Sequence, residues 1–190
     1  MKLKFVLAAC VTLFTTPVFA AERYFSLAAG SWLPGHTSTV DYNFRPVDVS
    51  YDAGWSIDST IGIALDNGLR LENELVYRQA APKTSADDMW ALGWLVNIWW
   101  DGRNSSPFTP YLGGGFGFGR GHVSSPGPVI NSGSGIAYQA GGGMDYKIDH
   151  RLSLDVGYRY FGISDTSSNG GIVTVDLEGS SFLAGIRYKY

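Results

Sequence analysis

Leu152-Ser153-Leu154-Asp155-Val156-Gly157-Tyr158-Arg159-Tyr160 alternates apolar and polar residues without a break. Neighbouring side chains on a strand point to opposite sides, so this run has one face of Leu, Val and Tyr and another of Ser, Asp, Gly and Arg. A helix would need apolar positions three and four apart, and that spacing is hard to find anywhere after Ala20. The same alternation predicts strands near 23–33, 54–65, 69–78, 89–100, 109–120, 136–148, 151–161 and 180–190. Lengths of roughly 10 to 13 residues exceed the usual five or six of soluble proteins and suit a tilted strand crossing a membrane, which needs about 9 to 11.

Sorting each strand by parity gives the second step. One face carries Ile61, Leu75, Leu92, Phe116, Val156, Ile186 and their like, and no Asp, Glu, Lys, Arg or His. The other collects Asp58, Arg70, Glu72, Glu74, Arg78, Arg120, Asp145, Lys147, Arg151, Asp155, Arg159, Arg187 and Lys189, among many glycines. A soluble barrel would turn the apolar face inward. An even-stranded membrane barrel closes the sheet so that no backbone edge meets lipid, with oil outside and polar groups within. The expected fold is an all-β, eight-stranded antiparallel up-and-down transmembrane barrel.

Aromatics and connections fix which side is out. With the N-terminus in the periplasm, the outward aromatics fall near two rims, with Trp55, Tyr77, Trp90, Tyr138 and Tyr160 on one and Trp100 and Tyr146 on the other. Amphipathic rings prefer the two membrane interfaces, so these residues are expected to form girdles. Asp66-Asn67-Gly68 and Asp149-His150 read as tight turns. Connections 34–53, 79–88, 121–135 and 162–179 are longer and read as extracellular loops.

The chain has 190 residues, 25 glycines and one cysteine, with 14% aromatic and 16% charged residues and a formal net charge of −3. That composition argues against disorder and against a disulfide-stapled miniprotein. The absence of excess positive charge argues against nucleic acid as a partner. Residues 1–20 read as a cleaved signal peptide, with Lys2 and Lys4, an apolar run from Phe5 to Phe14 and a small-residue exit at Ala20, which leaves 21–190 as the barrel domain. The apolar run continues past Cys10, which argues against lipoprotein processing there.

Pro107-Phe108-Thr109-Pro110-Tyr111-Leu112-Gly113-Gly114-Gly115, Ala137-Tyr138-Gln139-Ala140-Gly141-Gly142-Gly143, the 152–160 run and the ending Gly185-Ile186-Arg187-Tyr188-Lys189-Tyr190 resemble the OmpA-like, opacity-protein-like family of small bacterial outer-membrane β-barrels. The resemblance implies export through a cleaved signal, escort by periplasmic chaperones and insertion by the barrel-assembly machinery. That machinery recognises a C-terminal strand ending in an aromatic residue, a pattern supplied here by Phe182, Ala184, Ile186, Tyr188 and Tyr190, with a terminal Tyr where Phe is more usual. Outer-membrane lipid and lipopolysaccharide are the implied surroundings.

An eight-stranded barrel is just wide enough for side chains to fill. The charges Asp58, Arg70, Glu72, Glu74, Asp145, Asp155, Arg159 and Arg187 are therefore expected to form a paired network plugging the lumen, with Glu72 and Glu74 bonded to Arg70, Arg159 or Arg187. Glycines would clear room for the long side chains. His122-Val123-Ser124 superficially resembles the His-x-Ser of lipid A deacylases, but no Asn follows and no acid stands a short strand away, so it reads as a solvated loop histidine. Gly30-Ser31-Trp32 is a faint lipocalin echo at the wrong end of its strand. The expected function is a non-enzymatic scaffold, structural or adhesin- or antigen-like, with no cofactor or metal site and with possible extracellular ligand contacts at Tyr42, Phe44 and Arg45. A narrow small-solute or ion channel, a lipid A-modifying enzyme and a soluble lipocalin-like carrier are the alternatives.

Overall fold

The computed structural model describes residues 21–35, 37–40, 46–49, 51–81, 89–124, 130–168 and 173–190. The expected leader and the loop residues Tyr42, Phe44 and Arg45 lie outside these. Eight long strands, β1 (Ala21–Pro34), β4 (Gly54–Leu65), β5 (Leu69–Ala80), β6 (Met89–Asp101), β7 (Phe108–Ser124), β8 (Ile130–Lys147), β9 (Leu152–Ser168) and β10 (Val173–Lys189), close into an antiparallel barrel in which β10 pairs with β1. A small hairpin, β2 (Thr37–Val40) with β3 (Pro46–Val49), rises from the first long connection.

Strand positions agree with the alternation, but two expected loops are shorter than the sequence suggests. β7 and β8 run on to Ser124 and from Ile130, and β9 and β10 to Ser168 and from Val173, so most of 121–135 and 162–179 is ladder. Each hairpin extends because its two strands satisfy one another's backbone groups, whatever their side chains. The opposite end is tight. Gly68 turns with φ 88°, a left-handed conformation that glycine adopts without steric cost, and Asn67 Oδ1 accepts the Leu69 amide at 3.0 Å. At the other tight turn the Asp149 carboxylate accepts the Arg151 and Leu152 amides, which hold it below the usual carboxylate range.

Register fixes the barrel's dimensions. Stepping through paired residues from Tyr24 to Gly62, Glu72, Asn97, Gly115, Gln139, Phe161 and Gly179 returns to β1 at Pro34, ten residues along. A stagger of that size on eight strands tilts them by roughly 40° and leaves an interior that side chains fill. It also converts sequence position into height. Phe25, Trp100, Tyr146 and Tyr188 stand near one level and Trp55, Tyr77, Phe118, Tyr138 and Tyr160 near another, roughly 20 Å away, with Trp90 a little beyond.

The faces are as parity requires. Ile61, Leu75, Leu92, Phe116 and Val156 point outward and are exposed, whereas Asp58, Arg70, Glu72, Glu74, Arg78, Asp145, Asp155, Arg159 and Arg187 are buried inside. Arg120 and Arg151 are exceptions among the charges assigned to the inner face. Arg151 lies exposed in the turn before β9, where its guanidinium reaches the hydroxyl of the outward Tyr188. Arg120 sits on the other face. It shares the parity of Phe116 and Phe118 and lies exposed on the outside.

Glycines set how closely the strands approach. A Cβ on Gly117 would stand 1.9 Å from the Trp94 carbonyl oxygen, an immovable backbone atom, whereas one on Gly121 would meet only the end of the Leu177 side chain at 3.2 Å. Gly117→Ala is therefore expected to cost about 1–3 kcal/mol, the range of overpacking, and Gly121→Ala to be near neutral. Urea titration of the folded barrel in detergent, followed by tryptophan fluorescence, checks the difference.

Candidate functional site

The lumen is the chemically distinctive part of the molecule, and it has two storeys. Toward the tight-turn end lies the expected charge network. Arg187, from β10, pairs with Asp145 of β8 and, at 3.4 Å, with Asp155 of β9. Arg70, from β5, reaches Asp101 at 2.8 Å and Glu72 at 3.4 Å. Glu72 also accepts Tyr24 Oη at 2.5 Å and Trp99 Nε1 at 2.7 Å, so its oxygens are bonded from β1, β5 and β6. Tyr111 donates to Asp155 at 3.0 Å and accepts from Arg159 Nη2 at 3.0 Å. Pairing and hydrogen bonding of this density offset the desolvation that makes an isolated buried ion costly.

Glu72 thus behaves as the sequence suggests, but Glu74 does not. Its partners are amides: Asn97 Nδ2 donates to it at 2.5 Å and Gln139 Nε2 does so from across the lumen. Asn97 and Gln139 are themselves joined at 2.9 Å. Asp58 pairs with Arg78 at 3.6 Å and receives the Ser56 hydroxyl at 2.8 Å.

Each lumen arginine rests on an aromatic face, a feature that sorting by charge could not show. Arg159 lies 4.2 Å from the centre of Trp99, Arg78 4.1 Å from Phe161, Arg70 4.7 Å from Tyr111 and Arg187 5.0 Å from Tyr24. The planar guanidinium pairs with carboxylates in its plane and stacks on a ring through its face. Glycines give these groups room, since a Cβ on Gly157 or Gly143 would strike the Tyr111 hydroxyl at 2.6 or 2.5 Å.

The second storey, toward the long connections, is mainly apolar, with the Arg78 guanidinium set against Phe161 and Trp32. Trp32, Val76, Met89, Ala91, Leu95, Ala137, Phe161, Ile163 and Leu177 pack together inside the barrel, each at most 3% exposed. Trp32 and Phe161 meet edge to face at 6.3 Å. Tyr51, just before β4, joins this cluster, and burial pushes its phenol up to about 12. Sequence reasoning missed this storey, although parity marks every one of its strand residues as inward.

At the tight-turn mouth a cavity of about 260 Å³ is lined by Arg70, Asp101, Asp145, Lys147, Arg187 and Lys189 among others. Above it, beside Glu74, Asp58 and Arg159, remains about 20 Å³, room for roughly one water. His122 is no loop residue: it lies in β7, on the outer face, stacked on Trp90 with ring centres 5.7 Å apart. The side chain of Ser124 is outside the described residues. Among the described residues no cluster of three metal-ligating side chains occurs. The expected assembly residues Phe182, Ala184, Ile186, Tyr188 and Tyr190 all face outward and are exposed.

An apolar outer surface on a closed sheet, with ions sealed inside and an aromatic layer at each edge, defines a small outer-membrane β-barrel. Residues 6–190 match the model of the outer membrane protein beta-barrel domain, and the chain belongs to that family. It resides in the bacterial outer membrane. Its fold is shared by Neisserial surface protein A (20% identity, TM-score 0.59, covering 88% of this chain and 97% of that one). Outer membrane protein OprG of Pseudomonas aeruginosa also shares it (15% identity, TM-score 0.65, 90% and 96% covered), as does the outer membrane protease OmpT of Escherichia coli (9% identity, TM-score 0.51, 89% and 97% covered). No curated protein matches the sequence.

Proposed function

We propose that this protein is a non-conducting, non-enzymatic barrel that anchors an extracellular structure in the outer membrane, structural or surface-interacting in role. The observation that carries this is the two-storey filling of the lumen: an apolar plug around Trp32 and Phe161 stacked on a bonded ion network. An ion entering from outside would leave water for a dry aromatic layer, and one entering from the periplasm would meet occupied charges. The 17- and 18-residue strands β7 to β10 outrun the membrane and carry their hairpins above it, with β2 and β3 on the same side. Binding residues concentrate on such projections, and Tyr42, Phe44 and Arg45, between β2 and β3, are the proposed contacts.

The aromatic belts would sit at the two headgroup levels, and the outward Phe182 to Tyr190 row would be read by the assembly machinery after chaperone escort. Against catalysis stands the setting of His122, stacked on Trp90 on the outer face of β7. The periplasmic cavity gives the channel reading its one support. Planar-bilayer recording decides: neither wild type nor Glu72→Gln/Glu74→Gln is expected to show discrete current steps, with insertion verified by heat-modifiable gel mobility. Steps in wild type that alter in the double variant would establish an ion path instead.

A further inference from the structure

We infer that the cavity at the tight-turn mouth is a seat for a small dicarboxylate from the periplasm, with Arg103 and Lys147 as the cations that meet its two ends. Each acid in the cavity wall is already paired: Asp101 with Arg70, Asp145 with Arg187, and Glu22 with Lys189 at 2.5 Å. The two remaining basic side chains of the wall, Arg103 and Lys147, have no carboxylate partner among the described residues. Deeper in, Glu72 and Asp155 add negative charge, but neither lines the cavity. Each is also bonded by neutral donors, Tyr24 and Trp99 for Glu72 and Tyr111 for Asp155.

The two spare charges stand on opposite walls. The Arg103 guanidinium is held at the turn between β4 and β5, where it donates to the carbonyls of Leu65, at 2.6 Å, and Asp66. Lys147 belongs to β8, and β4 and β8 are four strands apart in the closed ring of eight. Charges so placed match a molecule with an anionic group at each end better than one compact ion. The carbonyls occupy N–H groups of Arg103 without neutralising it, and they fix the side chain in advance, which lowers the ordering cost of binding. Ser153, in register with both Lys147 and Arg187, adds a hydroxyl to the wall between them. The volume of about 260 Å³ lies just under the roughly 300 Å³ at which ligand pockets begin, which suits a molecule of a few carbons. The ion network closes the seat toward the membrane interior, so binding there is independent of whether the lumen conducts.

The test is saturation-transfer NMR of succinate titrated onto the folded full-length barrel in deuterated detergent at low ionic strength. Succinate is expected to bind, and propionate, with one carboxylate, to bind at least about threefold more weakly. Lys147→Gln breaks no side-chain contact among the described residues and is expected to weaken succinate by a similar factor, as is Arg103→Gln. Arg151→Gln removes an exposed cation at the same rim that does not line the cavity, and is expected to leave binding unchanged. Gel mobility before and after heating verifies that each variant is folded. No succinate signal with wild type, propionate or inorganic phosphate bound as tightly as succinate, unchanged binding by Lys147→Gln, or an equal loss in Arg151→Gln would each overturn the assignment.

Discussion

Arg187→Ala is expected to destabilise the barrel by about 3–5 kcal/mol, because it removes one ion and strands two others. Arg187 is the shared partner of Asp145 and Asp155, and all three are at most 7% exposed. Arg70 cannot substitute: it lies 4.0 Å from Asp145 but is already engaged with Asp101 and Glu72. Lysine would restore charge without the fork that reaches two carboxylates, so Arg187→Lys should recover only part of the loss. The triple variant Arg187→Ala/Asp145→Asn/Asp155→Asn should be more stable than Arg187→Ala alone, since the uncompensated charges are gone. Equilibrium unfolding in urea with the barrel in lipid vesicles measures all three. A cost below about 1 kcal/mol for Arg187→Ala would mean that the network is wet and the lower storey open.

The second large effect concerns the outside. Leu27 is 45% exposed, near mid-height between the aromatic belts, and Leu33 is 42% exposed above the upper one. In water the two positions would tolerate a charge equally. In a bilayer Leu27→Arg should cost about 2–4 kcal/mol, and Leu33→Arg about 0–1, because the penalty for a cation falls from midplane to interface. The same vesicle-unfolding measurement reads both, and equal, small costs would contradict a lipid-facing surface.

Much of this architecture was legible in the sequence because a strand that separates oil from ions must write both on alternate residues. The run 152–160 does so completely, and Asp66-Asn67-Gly68 announces its turn. What stayed hidden has physical causes. Val76, Leu95, Ile163 and Leu177 are apolar residues facing inward. Composition does not distinguish a side chain packed in a lumen from one bathed in lipid, so attention to charges on the inner face passed over them. Glu74 was expected to find an arginine and found two amides, since which groups meet across a lumen depends on stagger, a property no single strand contains. Arg120 has the chemistry of the inner charges, although its parity puts it with Phe118. His122 sits in a Ser-, Gly- and Pro-rich stretch that has the composition of a loop, while the backbone ladder of β7 and β8 extends past it.

The seam between β1 and β10 has a consequence for how the chain reaches its final state. Until β10 arrives, the edge of β1 that faces away from β4 has no mate for its amides and carbonyls, and the acids of β8 and β9 wait for Arg187, which β10 delivers. Closing the ring and neutralising its interior are thereby one event. A chain arrested a few residues early would carry both a raw edge and two naked carboxylates, each intolerable to lipid. Strand β10 thus joins two demands of the bilayer, a closed ladder and a neutral interior, in a single segment.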